Sequence, residues 1–68
     1  MNSNHKQALQ YVRNTNGGAT RQHFFEDHDP IGELLWNEIY SLDYVIADAA
    51  GRIRLTDTGV QALDEVQS

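Results

Sequence analysis

Cysteine is absent from this chain of 68 residues, which excludes disulfides and thiolate metal sites. Long apolar runs are absent as well, since no stretch approaches the ~18 consecutive apolar residues of a membrane-spanning helix. The chain begins with MNSNHKQ, which lacks the apolar segment of a signal peptide. We therefore expect no membrane contact and a cytoplasmic location.

Basic residues are scarce. Five Lys and Arg stand against ten Asp and Glu, which gives a formal net charge of −5. Nucleic-acid-binding domains usually carry a basic face, because neutralising phosphates supplies most of the non-specific affinity. A protein with this charge repels DNA at long range, so binding would need a local basic patch that acts within a Debye length of roughly 10 Å.

Motifs that are typical of enzyme active sites are missing too. The sequence has no nucleophile motif and no glycine-rich phosphate loop, and so small a domain has little room for a deep pocket. Five residues resemble metal ligands: His23, Glu26, Asp27, His28 and Asp29. The two histidines are five positions apart and so lie on different sides of a helix. We expect a non-enzymatic protein without a metal or other cofactor.

What is present suits one small domain over residues 1–68, with 40% apolar residues to fill one core. A first helix is predicted over residues 2–15, with Ser3 or Asn4 as N-cap and Gly17 and Gly18 as terminators. Its apolar residues recur at helical spacing: Ala8, Leu9 and Val12.

A second helix is predicted over residues 21–27, after a short extended connector at residues 18–20. Thr20 suits its N-cap. Phe24 and Phe25 are too bulky to be exposed together on so small a protein, so both are expected in the core.

The third helix has the strongest pattern. Asp29 is predicted as its N-cap and Pro30 as its first residue, with the helix running to about Leu42. At ~100° per residue one face gathers the expected core residues: Ile31, Leu34, Leu35, Ile39 and Leu42. The opposite face carries Glu33, Trp36, Asn37 and Tyr40. Glu38 falls inside the apolar stripe and is expected to tilt to its edge or find a partner.

A hairpin follows. Residues 43–48 read as its first strand, with Val45 and Ile46 at the centre, and Gly51 suits the positive φ of a short loop. In the second strand Ile53 and Leu55 alternate with Arg52 and Arg54, which places the arginines in solvent.

Thr56 then caps a last helix that begins at Asp57. Its buried side is expected to comprise Val60, Leu63 and Val66. The predicted fold class is therefore α+β, predominantly helical, with a two- to three-stranded antiparallel sheet whose third strand comes from residues 18–20.

This order of elements resembles the winged helix-turn-helix family over nearly the whole chain. The MarR- and PadR-like branches share its hairpin and exit segments, which here are Leu42, Tyr44-Val45-Ile46, Gly51-Arg52, Leu55-Thr56-Asp57-Thr58-Gly59 and Leu63. The resemblance implies a small winged helix and a DNA-binding transcriptional regulator. In that family the third helix enters the major groove and the wing touches the flanking backbone.

Carried onto this chain, the resemblance places Arg52 and Arg54 on the backbone. The positions that it places facing the groove are Glu33, Trp36, Asn37 and Tyr40. Arg21, at the start of the second helix, adds a third candidate phosphate contact. Three such contacts imply a log–log salt slope of only about −2.7. The alternative role of the wing arginines is to keep an edge strand from pairing with another molecule.

A second function stays open, because the third helix contains no Lys or Arg. It is a protein-interaction module on the same scaffold, with Glu33, Trp36 and Tyr40 as the docking surface; Trp36 equally suits the core. The expected partner is double-stranded DNA or a protein, and the expected state is a monomer or weak homodimer.

Overall fold

Four helices and one hairpin make up the part of the chain that the computed structural model describes, namely the backbone of residues 2–67 and the side chains of residues 2–65. The elements are α1 (Ser3–Thr15), α2 (Arg21–Asp27), α3 (Gly32–Ser41), β1 (Val45–Ala47), β2 (Ile53–Leu55) and α4 (Asp57–Gln67). The predicted α+β class, predominantly helical with a small antiparallel sheet, is confirmed.

The hairpin is antiparallel, with Val45 opposite Leu55, Ile46 opposite Arg54 and Ala47 opposite Ile53. The connector after α1 pairs with its far edge: Thr20 forms a bridge with Arg52, and the N–H of Ile53 donates to the carbonyl of Ala19 at 2.9 Å. The expected third strand therefore exists as a single bridge. Gly51 takes the predicted positive φ, at 79°.

One core joins all the elements. Its buried side chains are Ala8, Leu9, Val12, Ala19, Phe24, Leu35, Trp36, Ile39, Val45, Ile53 and Leu63. The ring of Phe24 lies at the centre, with edge contacts to Tyr11 and Trp36 at centroid distances of 5.8 and 5.7 Å. Each large apolar side chain buried this way stabilises the fold by about 1.5–3 kcal/mol. Phe25 is only partly buried, so the prediction that both phenylalanines are core holds fully for Phe24 alone.

The predicted start of α3 was wrong. Ile31 occupies the N-cap position and its carbonyl accepts from Leu35 at 2.8 Å, so the helix begins at Gly32. Asp29 and Pro30 lie instead within a turn that the Ile31 N–H closes on the carbonyl of His28 at 3.0 Å. Asp29 therefore lies two residues before the N-cap. Its side chain is exposed and does not cap the helix.

The predicted buried face of α3 was also wrong in part. Leu35 and Ile39 are buried, but three of the five expected core residues are exposed: Ile31, Leu34 and Leu42. Trp36, only 4% exposed, takes their place against α2. The helix is rotated toward its tryptophan because the indole meets the Phe24 ring and buries more apolar area than Leu34 could.

Smaller corrections concern the helix ends. Asn2, rather than Ser3 or Asn4, caps α1 by accepting the N–H of His5 at 2.8 Å. The C-cap of α1 is Asn16, with a left-handed φ of 47°, and Gly17 after it has a positive φ of 80°, as predicted for a glycine at this helix end. Asparagine tolerates this conformation because its short polar side chain bonds locally.

In α4 the predicted buried side holds only in part. Leu63 is buried, Val60 is 42% exposed, and the side chain of Val66 lies outside the described residues. Val60 borders a surface cleft beside α1 and β2 rather than the core, which is why it remains exposed.

The segment that carries the family resemblance fastens α4 to the start of the hairpin. The hydroxyl of Thr56 donates to the carbonyl of Asp43 and accepts the N–H of Gly59 at 3.0 Å, which confirms Thr56 as the N-cap. Its N–H donates to the carbonyl of Tyr44 at 3.0 Å. A Cβ on Gly59 would lie 2.0 Å from that same carbonyl oxygen. Thr56 and Gly59 therefore have a structural role, because they join the first turn of α4 to the start of the hairpin.

Candidate functional site

A groove runs between α3 and the hairpin, with a volume of about 620 Å³. We call it the α3–hairpin groove; its lining residues are Arg21, Trp36, Asn37, Tyr40, Ile46 and Ala47. Trp36 forms the floor, while Tyr40 stands 57% exposed beside it with the ring centroids 6.1 Å apart. The two rings meet because residues four apart share a face of a helix.

The five predicted nucleic-acid contacts fall into two groups. Arg21, Asn37 and Tyr40 come together in the α3–hairpin groove. Arg52 and Arg54 lie instead beside the end of α1: Nη1 of Arg52 donates to the carbonyl of Gly17 at 3.2 Å, and the Arg54 guanidinium packs on the same glycine. Arg52 and Arg54 are thus held against the residues that follow α1, whereas Arg21 lines the α3–hairpin groove.

Arg54 is also paired within its own hairpin. Its Nε donates to Oδ2 of Asp48 at 3.2 Å. The Asp48 carboxylate in addition accepts the backbone N–H groups of Ala50 and Arg52. The Arg52 N–H is the largest cause that lowers the pKa of Asp48, and Arg54 lowers it further. Asp48 is thus ionised at neutral pH, and its charge offsets that of Arg54.

The cleft around Gly17 has a volume of about 220 Å³ and is lined by Val12, Arg13, Asn16, Gly17, Arg54, Leu55 and Val60. Gly17 has a φ of 80°, and a Cβ there would lie 2.7 Å from an Arg54 guanidinium nitrogen. The absent side chain lets the guanidinium settle over the C-terminal end of α1, where a cation is favoured by the helix dipole. Arg54 therefore stabilises the packing of the hairpin on α1.

The outward side of α3 combines apolar and acidic groups. Leu34 is 62% exposed, and Glu33 and Glu38 are exposed beside it. Glu38 was expected to tilt to the edge of the apolar stripe or to pair with another residue. It pairs with His5, whose Nε2 lies 3.1 Å from Oε1 of Glu38. The helix presents no basic side chain to a ligand, and nothing in the sequence indicated that Leu34 would stand outside the core.

Near the end of α2 lies a cluster that the sequence did not reveal. The Tyr11 hydroxyl donates to Oδ2 of Asp27 at 2.6 Å, and the His28 ring stacks on Phe24 with centroids 4.1 Å apart. Burial, followed by the nearby Asp27 carboxylate, raises the pKa of Tyr11 to about 12. Among the described residues no group of three or more His, Asp or Glu side chains could hold a metal ion. The cluster ties α1 to α2.

Comparison with known protein families, curated proteins and solved structures finds no match for this chain. Over residues 2–67 none of the helices combines the length and apolar character that a bilayer crossing requires. Function is therefore inferred from the surface chemistry alone.

Proposed function

We propose that this domain is a non-enzymatic protein-binding module on a winged-helix scaffold, and that the outward side of α3 with the adjoining groove is its docking surface. The observation that carries the proposal is the exposure of Leu34 and Tyr40 on a helix without Lys or Arg. Exposed apolar and aromatic side chains concentrate binding energy when a protein partner desolvates them. Ile46 of the hairpin, 43% exposed, extends this apolar surface into the groove.

Electrostatics favour a protein over DNA as the partner. Glu33 and Glu38 would approach phosphates with the wrong sign. Arg54 is offset by Asp48, and the guanidinium of Arg52 donates to the carbonyl of Gly17, just after α1. A phosphate backbone that follows α3 would therefore meet few of the positive charges that affinity for DNA requires.

One observation supports double-stranded DNA as a second candidate. Asn37 and Tyr40, which the family resemblance assigned to DNA, line one groove together with Arg21, the added candidate phosphate contact. Asparagine pairs well with an adenine edge and arginine with a phosphate. With DNA as its partner the domain would be a transcriptional regulator rather than a protein-binding module. Neither proposal involves a cofactor.

The test of the first proposal is a peptide-display selection on the full chain, followed by affinity measurements on the recovered peptides. Leu34→Ser and Tyr40→Ser remove the exposed apolar groups of α3. The control is Val60→Ser, which removes an exposed aliphatic group from α4, where Val60 is 42% exposed. We expect each α3 variant to weaken binding by about fivefold or more, as loss of over 1 kcal/mol at an interface hot spot does, and Val60→Ser to have little effect.

Two results would contradict the proposal. One is a selection that enriches no peptide above an unrelated control protein. The other is a set of peptides whose affinity falls as much with Val60→Ser as with Leu34→Ser and Tyr40→Ser, since the binding surface would then lie away from α3.

A further inference from the structure

We infer that the segment docking on α3 is cationic and amphipathic: an aliphatic or aromatic anchor flanked by Lys or Arg. This inference rests on the proposed function and names the chemistry of its partner. Three observations carry it, namely the carboxylates that border the apolar surface, the exposed tyrosine ring, and the charge of the whole chain.

Carboxylates lie toward both ends of the apolar residues exposed along α3. Asp29 and Glu33 are exposed and close in sequence to Ile31 and Leu34, and Asp43 is exposed just beyond the C-terminal end of the helix. Within the described side chains none of these three forms an ion pair. A partner that brings Lys or Arg to them gains three contacts and displaces no existing pair, whereas an acidic partner meets repulsion on both sides of its anchor.

Tyr40 adds a second attraction for a cation. Its ring is 57% exposed and borders the groove, with the indole of Trp36 on its inner side. An ammonium or guanidinium over the outer face of a tyrosine ring is stabilised by the ring quadrupole, more so once water is excluded. The same ring also supplies the apolar contact for the anchor, so the anchor and its basic neighbour would be adjacent in the partner.

Among the described residues, Arg21 is the one positive charge that lines the α3–hairpin groove, whereas both carboxylates of α3, Glu33 and Glu38, are exposed. The net charge of −5 adds a long-range field of the same sign as the carboxylates. Such a field speeds the encounter with a cationic segment and slows that with an acidic one. Local and long-range electrostatics therefore select the same partner.

The test uses the peptides recovered by display on the full chain. We expect Lys and Arg to be enriched next to an aliphatic or aromatic residue. Replacing one such Lys by Gln should weaken binding by about threefold, the size of an exposed ion pair. In the protein, Glu33→Gln should produce a similar loss for the Lys peptide and no loss for the Gln peptide. Asp64→Asn on α4 removes one carboxylate elsewhere and should have a smaller effect.

The possible failures are distinct. Recovered peptides that depend on Leu34 and Tyr40 but lack Lys and Arg would overturn the inference and leave the protein-binding function standing. Equal losses from Glu33→Gln and Asp64→Asn would also overturn it, because only the net charge would then matter. A selection that recovers no α3-dependent peptide would overturn the proposed function itself.

Discussion

At the scale of single residues, Tyr11 shows how one hydroxyl couples folding to pH. Its oxygen donates to Asp27 across the contact between α1 and α2, and burial together with that carboxylate raises its pKa from 10.0 to about 12. Between these two values the folded protein keeps a proton that the unfolded chain releases. The resulting contribution to stability is complete below pH 10 and is lost as the pH rises to 12.

Tyr11→Phe should therefore change both the level and the pH dependence of stability. At neutral pH we expect a loss of about 1 kcal/mol, the usual net value of a hydrogen bond. Between pH 10 and 12 the free energy of unfolding should fall less steeply than in the parent protein. Urea titrations followed by Trp36 fluorescence measure both effects. The control is Tyr40→Phe, which removes an exposed hydroxyl; parallel alkaline profiles for Tyr11→Phe and the parent would contradict the assignment.

Gly59 permits a backbone contact that no other residue allows. Gly59→Ala gains about 1 kcal/mol of helix propensity, yet its Cβ would lie 2.0 Å from the Tyr44 carbonyl oxygen. The first turn of α4 must then move, which breaks the Thr56 hydrogen bonds to Asp43 and Tyr44 at about 1 kcal/mol each and disturbs the packing of Leu63.

We expect Gly59→Ala to destabilise the protein by roughly 1–3 kcal/mol, the range of other overpacked sites. Thermal unfolding followed by circular dichroism measures the change. Thr58→Ala, at an exposed neighbouring position of the same helix, should stay within about 0.5 kcal/mol. A Gly59→Ala protein as stable as its parent would mean that the contact with Tyr44 can relax without cost.

At the scale of elements, local chemistry made most of the fold predictable. Helix spacing, Thr20 and Thr56 as caps and the Gly51 loop depend on near neighbours, and the structure confirms them. Which side of α3 is buried depends on residues that are distant in the sequence. Leu34 and Trp36 lie on opposite sides of the helix, because two residues at ~100° each are about 200° apart. The position of the Phe24 ring decides that the side of Trp36 is buried.

The candidate site was harder to predict for the same reason. The sequence indicated that Arg52 and Arg54 would point to solvent, and they are exposed. It contained no sign that both guanidinium groups would lie against Gly17, a residue 35 positions from Arg52. Alternation along a strand predicts the face of the sheet on which an arginine lies. It does not predict the position of the guanidinium group, because a long flexible side chain is directed by tertiary contacts.

At the scale of the whole molecule, charge is the argument for proposing a protein rather than DNA as the partner. Ten carboxylates outnumber five basic residues, and Asp48 offsets one of the two hairpin arginines. We expect an amide-shift titration of the labelled protein with a random DNA duplex to leave the α3 signals unchanged, even at low salt where weak electrostatic binding is strongest.

Asp48→Asn makes this titration a sharper test. The amide oxygen can still accept the loop N–H groups of Ala50 and Arg52, while the negative charge beside Arg54 is gone. If DNA were the partner, the variant would bind more tightly than the parent, and the amide signals of Arg21, Arg52 and Arg54 would shift. The binding constant from these shifts would fall with salt, with a log–log slope of about −2.7 or steeper. We expect instead that freeing Arg54 leaves the α3 signals as they are in the parent, because the acidic surface of α3 keeps a duplex away from the groove.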